Sequence, residues 1–359
     1  MHILITISIG FNALFVVFVC YYMSMTSKLS MHPMDQMEPP WLSLPSTTSN
    51  NKDETKITTR TMSMRSWCSQ FGNQLFRIIS GYGIGRTVGR KHIMIIAPSC
   101  RAKNEHHFAT IRSIFPNMSK LITTDSEYQI PENRTTLKFA YYHDRQACCH
   151  YEDPSWRLIN VKSQHVSLYT EFVQNTLYFE KYISDLVDYF RFSEEIKKLG
   201  EKIIKARYNI TNRNYMCVHT RRTDHHSKSD LSFSVPATKF VLGRDNQTNV
   251  LIFGDDPKFN EGLWNSVKNE TEFRKMSAII NYNTTIGEDL YLSSQLCTSF
   301  LITSPESTFG WFLAFFNKNQ DRVYYDHDMR PESGSYSGMQ RHMWRPLILD
   351  RKKQTVRIL

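Results

Sequence analysis

Tyr215-Met216-Cys217-Val218-His219-Thr220-Arg221-Arg222-Thr223-Asp224 decides the fold. The stretch opens as an apolar and aromatic run after the turn-like Thr211-Asn212-Arg213-Asn214, and so reads as a buried strand. Two guanidiniums follow its end, the edge at which open α/β sheets bind ligands. Period-two alternation sets His219 and Arg221 on one face and Arg222 on the other. A guanidinium fork suits bidentate capture of a phosphate. The plain alternative is a pair of solvated loop arginines with Asp224 as surface partner, because exposed ion pairs are common and contribute little.

Downstream, strands and helices alternate. A strand over 249–253 ends at Gly254-Asp255-Asp256-Pro257, and a helix follows over 258–268. A strand at 278–280, a helix at 287–297, a strand at 300–302 and a helix at 309–316 complete the pattern. This alternation predicts a Rossmann-like nucleotide domain with parallel strands. Arg221, Asp255 and Ser307 each follow a strand, so one sheet edge gathers them. Asp255 could equally cap the helix that begins at Pro257.

Upstream, Ser193 with Glu194 and Glu195 caps a helix to residue 208 whose apolar stripe is Ile196, Leu199, Ile203 and Ile204. Phe71-Gly72-Asn73 opens a helical run through Leu75, Phe76, Ile78, Ile79, Tyr82, Ile84 and Val88. Its free N–H groups, with Gly72 permitting close approach, suit an anion, although Gly72-Asn73 could simply be a turn capping a core helix. His92 to Ala97 reads as a buried strand ended by Pro98. Residues 100–165, with His143, Cys148, Cys149 and His150, read as loop-rich. The pairs His106-His107 and His225-His226 read as solvated loop, since neighbouring side chains diverge. Cys217 reads as a small buried hydrophobe.

The composition, 41% hydrophobic and 22% charged over 359 residues, is that of a folded chain with room for two domains. A net charge of +10 raises nucleic acid as a partner, but no basic block or nucleic-acid motif accompanies it. An anionic small substrate or an acidic membrane surface accounts for the charge. Residues 3–22 carry no formal charge and are long enough to span a hydrocarbon core of about 30 Å. The bulky Val19-Cys20-Tyr21-Tyr22-Met23 offers no small-residue cleavage site, so an uncleaved signal anchor is expected in place of a signal peptide. Sequons at Asn117, Asn133, Asn209, Asn246, Asn269 and Asn283 favour a lumenal body. So do the six cysteines outside the span, whose pairing the sequence leaves open. No spacing suggests a metal site or a cofactor. The expected organisation is a cytoplasmic tail at 1–2, the span at 3–22, a Ser/Thr/Met/Pro-rich stem at 23–66, an N-terminal α/β half at 67–210 and a nucleotide-binding half at 211–359.

His219-x-Arg221-Arg222-x-Asp224 resembles the HxRRxD signature of fucosyltransferases that use GDP-fucose. Phe71-Gly72-Asn73-Gln74-Leu75-Phe76, Phe253-Gly254-Asp255-Asp256-Pro257 and Ser307-Thr308-Phe309-Gly310-Trp311 resemble stretches of the alpha-1,2-fucosyltransferase family, in the same order along the chain. The resemblance covers most of the region beyond the stem. It implies a GT-B-like α/β fold, two Rossmann-like halves facing a cleft, and a type II protein of the Golgi membrane. It implies inverting transfer of fucose from GDP-fucose to the 2-hydroxyl of a terminal galactose on a glycan, without a metal ion. In that scheme Arg221 and Arg222 hold the diphosphate, assisted by Gly72, Asn73, Ser307 and Thr308. His219 and Asp255 contact the guanosine, and Asp224 or Glu306 is the carboxylate to test as base. Thr223 stands where the family has Gly, Glu306 where it has Asn, and Gly310-Trp311-Phe312 where it has Ser-Trp-Trp. Two other classes therefore stay open: transfer to core GlcNAc or a protein hydroxyl, and an inactive membrane-anchored lectin or scaffold. The sequence leaves the oligomeric state open.

Overall fold

A computed structural model describes residues 60–142, 145–146, 149–170, 172–208, 213–223, 228–327 and 336–359. The expected span and nearly all of the stem lie outside them, as do His143, Cys148, Asn209, Asp224 and His225-His226. Among the described residues no helix is long and apolar enough to cross a membrane.

The N-terminal half begins with β1 (Thr61–Ser66), six residues inside the expected stem. Met62 and Met64 are fully buried, so this segment is core in spite of its stem-like composition. It is followed by α1 (Phe71–Val88), β2 (Lys91–Ile96), α2 (Arg101–Ile114) and β3 (Arg134–Lys138). A small hairpin of β4 (Tyr141–Tyr142) and β5 (Arg145–Gln146) comes next, then α3 (Pro154–Leu158), β6 (His165–Tyr169), α4 (Ile183–Tyr189) and α5 (Glu194–Arg207). The main strands form one parallel sheet in the order β2-β1-β6-β3. The helix α2 corrects the loop-rich reading of residues 100–165, and it carries His106 and His107, which are not on a loop. Phe108, Ile111 and Ile114 form its buried stripe, a helical spacing diluted by the polar residues between them. Ser193 caps α5 as expected, accepting from the Ile196 N–H, a contact worth about 1 kcal/mol.

The second half runs β7 (Tyr215–Thr220), α6 (Leu231–Asp245), β8 (Asn249–Gly254), α7 (Pro257–Lys268), β9 (Ser277–Asn281), α8 (Ile286–Leu296), β10 (Cys297–Ile302) and α9 (Thr308–Phe315). It ends with β11 (Val323–Asp326), β12 (Arg345–Asp350) and β13 (Thr355–Ile358). The sheet order is β13-β12-β11-β10-β7-β8-β9, parallel except for the β12–β13 pair. The pattern from residue 215 onward is therefore the expected βα alternation. The additional helix α6 carries Pro236 in its interior, which disguised it in the sequence.

Alternation along β7 divides the core. Met216 and Val218 pack with α6 and α7 residues such as Phe233, Val241 and Leu263. Tyr215 and Cys217 join the larger core, which α1 and α9 fill. Trp311 is fully buried, with Phe76 at 4.7 Å and Phe315 stacked at 5.1 Å between ring centroids. The two halves thus share one hydrophobic core. A largely buried Arg341–Glu180 ion pair at 3.0 Å adds a polar tie between them.

Two disulfides are present among the described residues, Cys68–Cys100 and Cys217–Cys297. Cys217 is therefore a cross-link between the adjacent strands β7 and β10, not merely a buried hydrophobe. The Cys68–Cys100 bridge ties the loop before α1 to the turn that leads into α2.

Candidate functional site

The carboxyl ends of β7, β8 and β9 surround a cavity of about 190 Å³. His219, Thr220 and Arg221 line it from β7, and Phe253, Gly254 and Asp255 from β8. Asn281 to Thr284 border it after β9, with Asp289 from α8 and Phe309 from α9 completing the wall. This is the edge at which a doubly wound sheet binds ligands.

Arg221 and Arg222, in the loop just beyond β7, diverge. Arg221 lines the cavity, its Nε 3.4 Å from an Asp255 carboxylate oxygen. The Arg222 guanidinium lies over the Phe259 ring at 4.8 Å and donates from Nη1 to the Ser229 carbonyl at 2.8 Å. Ser229 is a hub that sequence reasoning missed. It is fully buried, and its Oγ accepts from the Arg221 N–H and from Thr303 Oγ1. Its own N–H donates to the Arg221 carbonyl, which fixes the base of the loop carrying both arginines. A lone serine after a histidine-rich stretch gives no sequence signal for that task.

Asp255 accepts from the backbone N–H of Arg222 at 2.8 Å, from that of Thr223 at 3.1 Å and from Thr223 Oγ1 at 2.6 Å. Burial acts to raise its carboxyl. The Thr223 hydroxyl, the two N–H groups and the Arg221 guanidinium outweigh that and hold it below the usual carboxylate range. It does not cap α7; Asp256 does, accepting from the Phe259 N–H. Thr223 is thus one of the donors that lock this turn.

The remaining motif residues meet on the other side of His219. Gly72 abuts the α9 start so closely that a Cβ there would lie 2.6 Å from Thr308 Oγ1. Asn73 Oδ1 accepts from Thr308 Oγ1 at 2.8 Å and from Gln174 Nε2 at 3.2 Å. Gln74 is fully buried and anchors α1 through Ser66, Trp67, Ser69 and Asn104. Ser307 caps α9 through the Gly310 N–H. Gly310 backs onto the His219 imidazole, which is 2% exposed and therefore held by packing. The structure thus brings Gly72, Asn73, His219, Arg221, Asp255, Ser307 and Thr308 into one neighbourhood, with Arg222 behind it. Glu306 is half-buried in the turn between β10 and α9.

The β9–α8 corner was not read from the sequence as part of the site. Asn281 Nδ2 and Thr284 Oγ1 donate to Asp289 Oδ1 at 2.6 and 2.5 Å. Burial pushes the Asp289 carboxyl up to about 6, partly offset by those two donors. Tyr282 is exposed at the rim, with the Arg207 guanidinium 5.8 Å from its ring centre. Extending the carboxyl-edge rule from β7 and β8 to β9 would have found this corner. The corner offers a carboxylate, an amide and an aromatic rim, next to the cavity-lining Arg221 guanidinium.

No protein-family model matches the chain. Curated relatives are found in Caenorhabditis elegans. One, carried under a provisional glycosyltransferase name, C06E1.7, is 26% identical over 307 residues, 80% of each chain. A galactoside 2-alpha-L-fucosyltransferase is 27% identical over 290 residues, covering 73% of this chain and 69% of that protein. Among solved structures, the fucosyltransferase NodZ from Bradyrhizobium matches at TM-score 0.45 and 13% identity, covering 72% of this chain and 94% of that one. The chain is thus a relative of glycosyltransferases that include galactoside 2-alpha-L-fucosyltransferases.

Proposed function

We propose that the chain transfers L-fucose from GDP-fucose to the 2-hydroxyl of a terminal galactose. The observation that carries the reading is the cavity at the carboxyl edge of β7, β8 and β9, lined by Arg221 and flanked by the Asn73–Thr308 contact. The curated relatives' names support the linkage and the acceptor.

In this reading the guanine enters the β9–α8 corner. Its adjacent N–H donors are complementary to the Asp289 carboxylate, which is ionised above about pH 6. The diphosphate lies toward Arg221, Asn73 and the start of α9. As the fucose C1–O bond to the diphosphate breaks, charge grows on the leaving oxygen and the fixed Arg221 fork stabilises it. The acceptor oxygen bonds to C1 from the opposite face and gives its proton to a carboxylate, with Asp224 and Glu306 the candidates. Arg222 acts behind the cavity by holding the Arg221 loop to Ser229.

The placement proposed is a single-pass, type II protein of the Golgi membrane with the folded region in the lumen. The charge-free run at 3–22 and the sequons support it, and so do the two disulfides, which belong to an oxidising compartment.

The test is an assay of the purified chain with GDP-fucose and a panel of galactosides, GlcNAc-terminated glycans and peptides, followed by linkage analysis. Fucose on the galactose 2-hydroxyl is the expected product. Fucose on GlcNAc or on a peptide hydroxyl would overturn the acceptor and leave the donor standing; no consumption of GDP-fucose would overturn both.

A further inference from the structure

The sequons are not equivalent, and their positions in the fold separate one from the rest. Asn246 caps the end of α6 and Asn269 the end of α7. Each of these helices leaves the carboxyl end of a strand and returns the chain to the start of the next, so both asparagines lie at the amino edge of the second sheet. Asn133 is exposed immediately before β3, at the amino edge of the first sheet. Asn117 lies in a short 3-10 turn beyond α2, and its Nδ2 donates to the Asp188 carbonyl at 2.9 Å. Asn283 alone among the described sequons follows the carboxyl end of a strand, β9, and it lines the cavity.

Asn283 is exposed in the turn between β9 and α8, where its backbone is left-handed (φ 57°). The residue two positions on, Thr285, supplies the hydroxyl that completes the sequon. From this geometry we infer that Asn283 is a glycosylation site and that a glycan on it closes the mouth of the donor cavity. Occupancy of this one sequon then sets how tightly the chain binds nucleotide. Glycan transfer forms a bond from the Asn283 amide nitrogen to the anomeric carbon of an oligosaccharide carried on a lipid diphosphate. The sugar–phosphate C–O bond breaks, the lipid diphosphate leaves, and the amide gives up one proton. The attached glycan is bulky and hydrophilic, and its first sugar is fixed beside a cavity of about 190 Å³. Glycans at the amino edges leave the cavity open. The inference rests on the donor and lumenal readings proposed above.

Thr285 permits a clean test, because it does not line the cavity and its structural task is known. Its Oγ1 caps α8 by accepting from the Glu288 N–H, within a full capping box. Thr285→Asp and Thr285→Asn keep a capping oxygen and abolish the sequon; Thr285→Ser keeps both. The full chain is made in a host that performs N-glycosylation. Occupancy at residue 283 is measured by glycopeptide mass spectrometry, and GDP binding by titration calorimetry. The expected result is occupancy in the unaltered chain and in Thr285→Ser, with GDP bound at least tenfold more weakly than by the two sequon-free variants. An unoccupied Asn283, or equal GDP affinity in occupied and sequon-free protein, overturns the inference and leaves the donor reading intact. Absence of GDP binding from every form overturns the donor reading, and this inference with it.

Discussion

Thr308 Oγ1 donates a 2.8 Å hydrogen bond to Asn73 Oδ1 across 235 residues of sequence. It joins the start of α9 to the start of α1, two helix N-termini that a shared anionic ligand would face together. Thr308→Val keeps the shape and removes the donor. A hydrogen bond of this kind contributes roughly 0.5–1.5 kcal/mol, so GDP affinity is expected to fall by about two- to thirteenfold. In a double-mutant cycle, Thr308→Val and Asn73→Ala should be clearly non-additive. Strict additivity would mean that the contact does not organise the site.

The adjacent arginines separate by what each variant loses. Arg221 lines the cavity, and its fork has no equivalent in lysine, so Arg221→Lys should lose turnover about as badly as Arg221→Ala, roughly 100- to 1,000-fold. Neither should lower the melting temperature appreciably. Arg222 packs over Phe259 and donates to the Ser229 carbonyl, so Arg222→Ala should destabilise the fold by about 1–3 kcal/mol. Thermal melts beside initial rates check both; a stable but dead Arg222→Ala would reverse the assignment.

Much of this site was legible because its residues follow strands. The run Tyr215 to Val218 gave β7, and the turn at Asp255 gave the end of β8, both by apolar periodicity with a sharp polar stop. Alternation set Arg221 and Arg222 on opposite faces, yet both were expected at the diphosphate; only the tertiary contacts of Arg222 with Phe259 and the Ser229 carbonyl separate their tasks. What stayed hidden depends on tertiary contacts that no local pattern encodes. Ser229 acquires its role only when a loop folds back onto Arg221. Asp289 reads as an ordinary first-turn helix acid until β9 delivers Asn281 beside it. β1 was lost to the stem because Thr-Met-Ser-Met alternates too weakly in hydrophobicity to announce a buried strand.

Asp289 should link donor binding and stability to pH with opposite signs. Its folded value is raised from 3.8 to about 6, so its contribution to stability is fully present below 3.8 and is lost as pH rises through 6. Ionised Asp289 therefore opposes folding at neutral pH. Asp289→Asn, whose Oδ1 can still accept from Asn281 and Thr284, should melt higher than the unaltered chain at pH 7.5. The advantage should shrink between pH 6 and 4. GDP affinity of the unaltered chain should fall as pH drops through about 6, and Asp289→Asn should bind GDP weakly at every pH. A GDP affinity independent of pH between 5 and 7.5 would remove Asp289 from the guanine site.

Gly310 tests how His219 is held. A Cβ at residue 310 would lie far inside contact distance of the His219 Nδ1, and relieving that clash would push the 2%-exposed imidazole toward the cavity it lines. Overpacking a well-filled core costs about 1–3 kcal/mol, so Gly310→Ala should lower the melting temperature and displace the ring that lines the cavity. GDP affinity should drop with it, by tenfold or more. The physical cause is steric, which gives the prediction a second arm. In Gly310→Ala with His219→Ala, the ring is gone and the new methyl group has room, so much of the lost thermal stability should return. GDP affinity should stay low, because the histidine is absent. If Gly310→Ala melted and bound GDP like the unaltered chain, the ring would not be packed against α9 and would have freedom the structure does not give it. If the double variant were less stable than both single variants, relief of crowding would not be the mechanism.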